Sequence, residues 1–393
     1  MPCSFEDQTT DNVKPLNGNG VHLADRPPPM LAPAILFPTP VSNNAPTPTS
    51  LMESMASPRS PNVLPSSQQS FNHLDLELVH YYSTQTYMTM TSKLTAHHVW
   101  RDVVFNVALK HDFLLHAMMA TAALHKATNH AENSAIHAEY TKVAFSYQNA
   151  ALAGYIPALS RPDEDNAVAL FILSALLTIW LFGSKNLSEV LSGVNLTSSP
   201  NFVPPQKPPA SKEQPADFIE ILTLLQGINA VFKQTIHWLT GSELAPLLTA
   251  PTEADLTSIP ADIEASFQKL RSRIDSLQLL APEKSQADRI RHDMYVERYE
   301  ALRRVSRIRT VLEWDQFVFS WPVTSEAMYL ELMRQRDPIC IALFIHWAAC
   351  FKCLDHLWWA KGWSKQFVKD ASMYLDGSWS DVIAWPRREV GLD

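Results

Sequence analysis

The sequence predicts an all-α protein, a single large multi-helix domain behind a disordered N-terminal arm. The chain has only 10 glycines in 393 residues, whereas average usage would give about 27. Apolar residues recur at spacings of three and four, which is the period of a helix face. Strand patterns of convincing length do not occur. Because barrels, Rossmann enzymes and P-loop proteins all consume glycine, these classes are disfavoured.

Residues 1–70 form the predicted arm. Thirteen of the 28 prolines lie here, and Ser, Thr, Asn and Gln fill most of the remaining positions. Such a segment buries too little apolar surface to offset the entropy lost on ordering. The apolar stretch 30–37 is interpreted as a less polar piece of linker, with a short docking motif as the alternative.

Residues 74–393 form the predicted helical body. Helix-period segments cover 111–125, 132–158, 167–183, 217–239, 255–280, 286–312, 324–333, 336–360 and 363–376. Residues 184–216 contain six prolines and are expected to form a long Pro-rich loop. The candidate buried positions on 132–158 are Ala138, Val143, Ala144, Ala150, Leu152 and Ile156.

The segment 167–183 is apolar enough to raise the question of a membrane span. Its 17 residues lie at the lower edge of the spanning length, and it contains Ser174 and Thr178. We therefore expect no membrane span but a fully buried central helix, ending at Gly183 as its C-cap. Asp163, Glu164 and Asp165 are interpreted as acidic residues at the start of this helix rather than as a catalytic carboxylate pair.

Charge and cysteine content exclude further classes. The net charge is −8, and no strongly basic domain of the kind that grips nucleic acid alone is visible. Cysteine occurs at positions 3, 340, 350 and 353, which is too sparse for a disulfide framework. The first residues lack a basic region followed by an apolar run, so no signal peptide is expected. An intracellular protein is predicted.

Candidate chemical motifs each have a simpler structural interpretation. Cys350 and Cys353 form a C-x-x-C near His346 and His356, but a second pair is missing, so core cysteines are favoured over a zinc site. The 14 histidines show no metal-binding spacing, and nucleophile and phosphate-binding motifs are absent. We therefore predict no enzyme, no catalytic, cofactor-binding or metal-ligating residue and no cofactor, and assign no ligand-binding residue.

Two residue clusters keep a functional alternative. The stretch 289–309 holds seven arginines interleaved with acidic residues, so a salt-bridged solvated helix face is favoured over a nucleic-acid surface. Its inward stripe is predicted to be Tyr295, Tyr299, Leu302, Val305, Ile308 and Leu312. The C-terminal tryptophans are assigned to the core, with the lining of an apolar pocket as the alternative; they are Trp347, Trp358, Trp359, Trp363, Trp379 and Trp385.

Several landmarks in order resemble the regulatory domain of fungal binuclear zinc-cluster transcription factors, in the subgroup of sterol-uptake-control regulators. The likeness covers about residues 74–393. Its landmarks are DLELVHYY at 75–82, VWR at 99–101, FLLHA at 113–117, AALH at 122–125, LLQG at 224–227, SELAPLL at 242–248, DP at 337–338, WW at 358–359, GW at 362–363 and WP at 385–386.

The resemblance implies an all-helical, non-enzymatic domain that regulates transcription in the nucleus, commonly of sterol or secondary-metabolite genes. The family's six-cysteine DNA-binding module has no counterpart here, since only Cys3 precedes the body. We therefore expect a transcription regulator or co-regulator that acts through a protein partner, either a DNA-binding regulator or a second copy, rather than through its own zinc cluster. The alternatives are an apolar, sterol-like small-molecule sensor and a helical enzyme of a biosynthetic pathway.

Overall fold

The computed structural model describes residues 72–191, 218–279, 285–309 and 311–392. Within these ranges there are fourteen α-helices and no strand, which confirms the all-α prediction. The helices are α1 His73–Tyr81, α2 Val104–Ala108, α3 Asp112–Asn129, α4 Ser134–Ala158, α5 Ala167–Leu191, α6 Phe218–Leu239, α7 Ala245–Leu248, α8 Ala261–Leu279, α9 Gln286–Ser306, α10 Ser320–Val323, α11 Ala327–Arg334, α12 Pro338–Phe351, α13 Trp363–Ser372 and α14 Ala384–Glu389.

The predicted arm lies outside the described residues, so its boundary at 70 stays a prediction. The predicted loop 184–216 begins later than expected, because α5 continues to Leu191; the rest of that loop also lies outside the described part. Several other helix ends shift, since α9 ends at Ser306 rather than 312 and α12 ends at Phe351. Helix ends are the least reliable part of a periodicity argument.

Helix α12 is the centre of the C-terminal half. Every residue from Ile339 to Phe351 is buried, and the helix packs against α8, α9, α11, α13 and α14. The Asp337 side chain accepts hydrogen bonds from the backbone N–H groups of Ile339 and Cys340 at 3.0 Å, while Pro338 occupies the first turn. This cap satisfies donors that would otherwise be orphaned inside the core.

The expectation that 167–183 is the fully buried central helix is wrong. By length and composition α5 could cross a membrane, as could the bent pair Ala327–Arg334 and Pro338–Leu354 if taken as one span. However, α5 packs against α3, α4 and α6, and 56% of its most apolar 18 residues are buried within the fold. The role assigned to it belongs to α12, and two partly buried residues of α5, Phe171 and Ala175, line a cleft.

Gly183 is not a C-cap, which corrects a second expectation. It lies inside α5, where an added Cβ would be 2.8 Å from Cζ3 of Trp358 and 3.2 Å from a methyl carbon of Leu124. The acidic residues before α5 behave as predicted. Asp163 and Asn166 exchange side-chain-to-backbone hydrogen bonds of 2.9 and 3.0 Å that fix the start of the helix.

Candidate ligand cleft and contact surfaces

An apolar cleft of about 280 Å³ opens between α5, α6 and the 3₁₀ segment Leu312–Phe319. One face of α5 supplies Phe171, Ala175, Thr178 and Ile179, whose spacing of three and four places them in one row. The volume is close to the lower end of the range of about 300–1,000 Å³ common for small-molecule sites. The wall is completed by residues distant in sequence, among them Met90, Trp100, Leu225, Ile228, Trp314, Phe317, Phe319 and Trp359.

A few polar groups stand around this apolar lining. Lys93 places its ammonium 4.0 Å from the centroid of the Trp314 ring, which gives a cation–π contact. Exposed Glu313 and partly buried Gln316 also line the cleft, and the Gln316 side chain donates a hydrogen bond to the carbonyl of Met90. Such a lining suits a mainly apolar molecule that carries few polar groups.

The wall formed by residues 89–93 is held by hydrogen bonds from other parts of the chain. The indole N–H of Trp358 donates to Oγ1 of Thr89 at 3.0 Å, and that of Trp359 donates to the Thr89 carbonyl at 3.1 Å. The Ser92 hydroxyl forms hydrogen bonds with the Asp315 carboxylate and with Nε2 of His356. Because these contacts join residues 89–93 to partners more than two hundred positions later in the chain, the position of this wall depends on tertiary packing.

Two buried histidines lie in the packed interior rather than in the cleft. Burial lowers the pKa of His125 and of His346 to about 4 in each case. His125 stacks on Trp358 with ring centroids 4.9 Å apart, and Nε2 accepts from the Asn129 side chain at 3.1 Å. His346 contacts the Ser266 hydroxyl and the Ala342 carbonyl, at 3.0 and 2.8 Å. Both side chains therefore act as neutral core residues at pH 7.

The C-x-x-C residues lie in the C-terminal core. Cys350 is buried and Cys353 is partly buried, both are free thiols, and burial raises the pKa of each thiol. No group of three or more potential metal ligands occurs within the part of the chain that the structure describes. A thiol with a raised pKa is a poor nucleophile and a poor metal ligand, which agrees with the interpretation as core cysteines.

The arginine-rich stretch forms the salt-bridged face that the sequence predicted. Arg303 pairs with Glu264 at 2.7 Å, and Glu253 accepts from both Arg304 and Arg307, at 3.2 and 3.0 Å. Tyr295, Tyr299, Leu302, Val305 and Ile308 are buried as predicted, and the side chain of Leu312 lies outside the described residues.

Arg298 is the exception on this stretch. It is buried, and its guanidinium lies over the Trp321 ring, 4.9 Å from the centroid. Its position three residues after Tyr295 and four before Leu302 places it on the buried stripe of α9, although its charge favours the surface.

The tryptophans divide between core and cleft in a way the sequence did not predict. Of the six C-terminal tryptophans, Trp359 lines the cleft, while Trp347, Trp363, Trp379 and Trp385 are buried in the core. Trp100 and Trp314, which the sequence analysis had not singled out as candidates, supply the other indoles of the cleft. The clustering of tryptophans near the C-terminus therefore indicated core residues. It did not point to Trp100 and Trp314 in the wall of the cleft.

Exposed apolar side chains concentrate near the beginning of the described chain. Of the eight large hydrophobic residues that are clearly exposed in the described ranges, four lie between positions 76 and 109. They are Leu76, Met88, Leu94 and Leu109. Single exposed apolar residues are ordinary, but this concentration makes the region the best candidate for a contact surface.

The described part of the chain is an all-helical domain with an apolar cleft, and part of it is similar to known proteins. Residues 77–193 match the family described as fungal specific transcription factor domain. This confirms the resemblance to the regulatory domain of fungal zinc-cluster transcription factors. The match includes α3, α4 and α5 and three of the four exposed apolar side chains, Met88, Leu94 and Leu109.

Two curated relatives agree with this family. The chain is 22% identical over 336 residues to a Zn(2)-C6 fungal-type transcription factor of Gibberella zeae, which covers 81% of this chain and 62% of the relative. It is 34% identical over 61 residues to Sterol uptake control protein 2 of Saccharomyces cerevisiae, which covers 15% of this chain and 7% of that protein. The chain thus spans less than two thirds of the length of either relative. The matched family and the first of these relatives carry the names of transcription factors.

Proposed function

We propose that this chain regulates transcription through contacts with a protein partner, a DNA-binding regulator or a second copy. The observation that carries the proposal is the match of 77–193 to a transcription factor domain, in the region where exposed apolar side chains concentrate. The proposed place of action is the nucleus, and the proposed targets are sterol or secondary-metabolite genes.

A complementation experiment tests this proposal. Deletion of the gene in its native host should change a defined set of transcripts, and the wild-type chain should restore them. Leu94→Asp with Leu109→Asp places charge on side chains that are 73% and 61% exposed, which should abolish partner contact without unfolding the domain. Met373→Asp is the matched control, because Met373 is 62% exposed but lies far outside 77–193. Unchanged transcripts after deletion would contradict the proposal.

The cleft favours a second function, that of a sensor for an apolar small molecule such as a sterol. One row of α5, Phe171, Ala175, Thr178 and Ile179, lines this cavity, and indole rings complete the wall. Filling it with Ala175→Phe should abolish binding of a neutral apolar probe such as Nile red, while Ala175→Ser, which keeps the volume open, should retain it. If both variants bind the probe equally, the probe does not bind in the cleft.

A further inference from the structure

Three side chains from separate segments meet at the base of the 89–93 wall. The Ser92 hydroxyl lies 2.5 Å from Oδ2 of Asp315 and 2.8 Å from Nε2 of His356, and that nitrogen is 3.4 Å from the same carboxylate oxygen. The adjoining residues Thr91, Lys93, Trp314 and Gln316 line the cleft. The cluster therefore joins the chain segments that form one side of the cavity.

The hydrogen atoms of this cluster can be counted. Nδ1 of His356 lies 2.9 Å from the Cys353 carbonyl, and since a carbonyl only accepts, Nδ1 carries a hydrogen. Nε2 then carries a second hydrogen only in the imidazolium form. With a neutral imidazole and an ionised carboxylate, the hydroxyl has one hydrogen for two acceptors that face it.

One additional proton satisfies every contact. If it resides on Nε2, the imidazolium donates to the Ser92 hydroxyl, which donates to Asp315. If it resides on the carboxyl group, the chain of hydrogen bonds runs in the opposite direction, from Asp315 through the hydroxyl to Nε2. The two arrangements contain the same number of protons, so the extra proton belongs to the three side chains together.

We infer that Ser92, Asp315 and His356 hold one proton in common. This proton holds the 89–93 segment, which forms one wall of the cleft, against residues 315 and 356. When the proton is lost, two acceptors compete for one hydroxyl hydrogen and the segment loosens around Ser92. As far as sensing is concerned, this inference rests on the proposed function of the cleft. Loosening of the segment would then make the opening of the cleft depend on pH. The contacts of Thr89 and Met90 contain no titrating group, so loosening is confined to residues 91–93.

Burial and surroundings agree with a shared proton. The Asp315 side chain is 2% exposed, and burial raises the pKa of its carboxyl group, whereas the His356 side chain is 43% exposed and can exchange protons with solvent. Within the described ranges, His356 is the one Lys, Arg or His side chain whose nitrogen lies within 4 Å of that carboxylate. A carboxylate buried this deeply favours the arrangement in which the cluster keeps the extra proton.

Several other charged groups lie around the cluster, and most of them have partners of their own. Lys93 lies over Trp314, and His97 contacts the Thr91 carbonyl at 2.9 Å. On the opposite side, Lys352 contacts Glu389, and Asp355 accepts from the Gly362 N–H at 3.2 Å. Exposed Glu313 and the Cys353 thiol, which donates to the Asp315 carbonyl at 3.6 Å, complete the surroundings.

Amide hydrogen exchange of the full chain, followed by mass spectrometry on peptides covering 89–96, tests the inference. Asp315→Asn replaces the carboxylate by an amide that donates to Ser92 without an extra proton, so it mimics the fastened state at every pH. His356→Gln places an amide donor on the opposite side of the Ser92 hydroxyl. It is the second test variant if Asp315→Asn does not fold. His97→Gln is the matched control, because it removes a titrating imidazole from the same segment but not from the cluster.

Comparing variants at equal pH removes the intrinsic pH dependence of exchange. Asp315→Asn is the reference. Relative to it, the protection of the amides of residues 91–93 from exchange should fall as pH rises from 6 to 9, both in the wild type and in His97→Gln. For the loss of one proton, this fall is up to about tenfold per pH unit. Parallel protection in wild type, Asp315→Asn and His356→Gln would overturn the inference. The measurement uses neither ligand nor partner, so its failure is distinct from failure of the transcription or sensing proposals.

Discussion

A Cβ placed on Gly183 would lie 2.8 Å from Cζ3 of Trp358, closer than carbon atoms pack. The same indole stacks on His125 and donates to Thr89. The close approach of α5 to this ring therefore connects the helix that forms one side of the cleft to the segment that forms the other.

Gly183→Ala is expected to destabilise the domain. The new methyl group must displace Trp358, and overpacking of this kind costs about 1–3 kcal/mol, which exceeds the roughly 1 kcal/mol that Ala gains over Gly in a helix. Gly227, inside α6, is the matched control, because an added Cβ there meets nothing within 4 Å. Gly227→Ala should raise the free energy of unfolding by about 1 kcal/mol. Urea unfolding of both variants checks the contrast, and equal effects would contradict the packing role of Gly183.

The buried histidines should make the domain sensitive to acid. Burial lowers the pKa of His125 and His346 from 6.5 to about 4, so the unfolded chain takes up these protons before the folded domain does. The free energy of unfolding therefore falls as pH decreases from about 6.5 to about 4, by about 3 kcal/mol for each histidine.

Unfolding titrations at pH 7, 5.5 and 4 measure this loss. His125→Gln keeps an acceptor for Asn129 but removes the titration, so it should reduce the acid sensitivity by about one half. His80→Gln changes an exposed histidine and should leave the sensitivity unchanged. If the wild type and His125→Gln lose stability equally, His125 does not titrate as its surroundings require.

Arg298 should act mainly through packing rather than through charge. Its guanidinium donates to the Trp321 carbonyl and contacts the Thr324 hydroxyl at 3.4 Å, and the Ser325 hydroxyl also donates to that carbonyl at 3.2 Å. Arg298→Ala opens a cavity and should cost about 3 kcal/mol. Arg298→Met fills much of the space and removes the buried charge, so it should cost less than about 1.5 kcal/mol. Thermal and urea unfolding compare the two, and equal losses would show that the charge itself matters.

Periodicity predicted the helices better than it predicted their buried faces. On α4, Ala144 is the one expected position that is fully buried, Val143 and Leu152 are partly buried against the core, and Ile156 is 52% exposed. The buried residues of this helix include His137, Thr141 and Gln148, and the first two have backbone partners. Nδ1 of His137, for example, contacts the Ala127 carbonyl at 2.9 Å. A hydrophobicity pattern cannot anticipate such partners, since they come from the preceding helix.

The cleft could not be predicted for a related reason. Met90, Phe171, Leu225 and Trp314 share one cavity although they come from four separate parts of the chain. Each resembles an ordinary core residue in its own segment, and only the packing of α5 against α6 leaves space between them. The apolar composition of α5 was visible in the sequence, but whether its face meets another helix or a cavity is decided by tertiary structure.

The cap of α12 offers a test of how the core helix is anchored. Asp337 accepts from two backbone N–H groups and from the hydroxyl of Tyr295 at 2.8 Å, which joins α9 to the start of α12. Asp337→Ala should cost about 2 kcal/mol, because it removes a cap and leaves a largely buried hydroxyl without its acceptor. Asp337→Asn keeps the acceptor oxygen and should cost less.

The double variant with Tyr295→Phe separates these two contributions. If the hydroxyl depends on Asp337, the two substitutions together should cost about 1 kcal/mol less than the sum of the single losses. Urea unfolding of the four proteins at pH 7 gives this coupling energy directly. Strict additivity would show that the cap and the tyrosine act independently, and the contact between α9 and α12 would then have to rest on apolar packing alone.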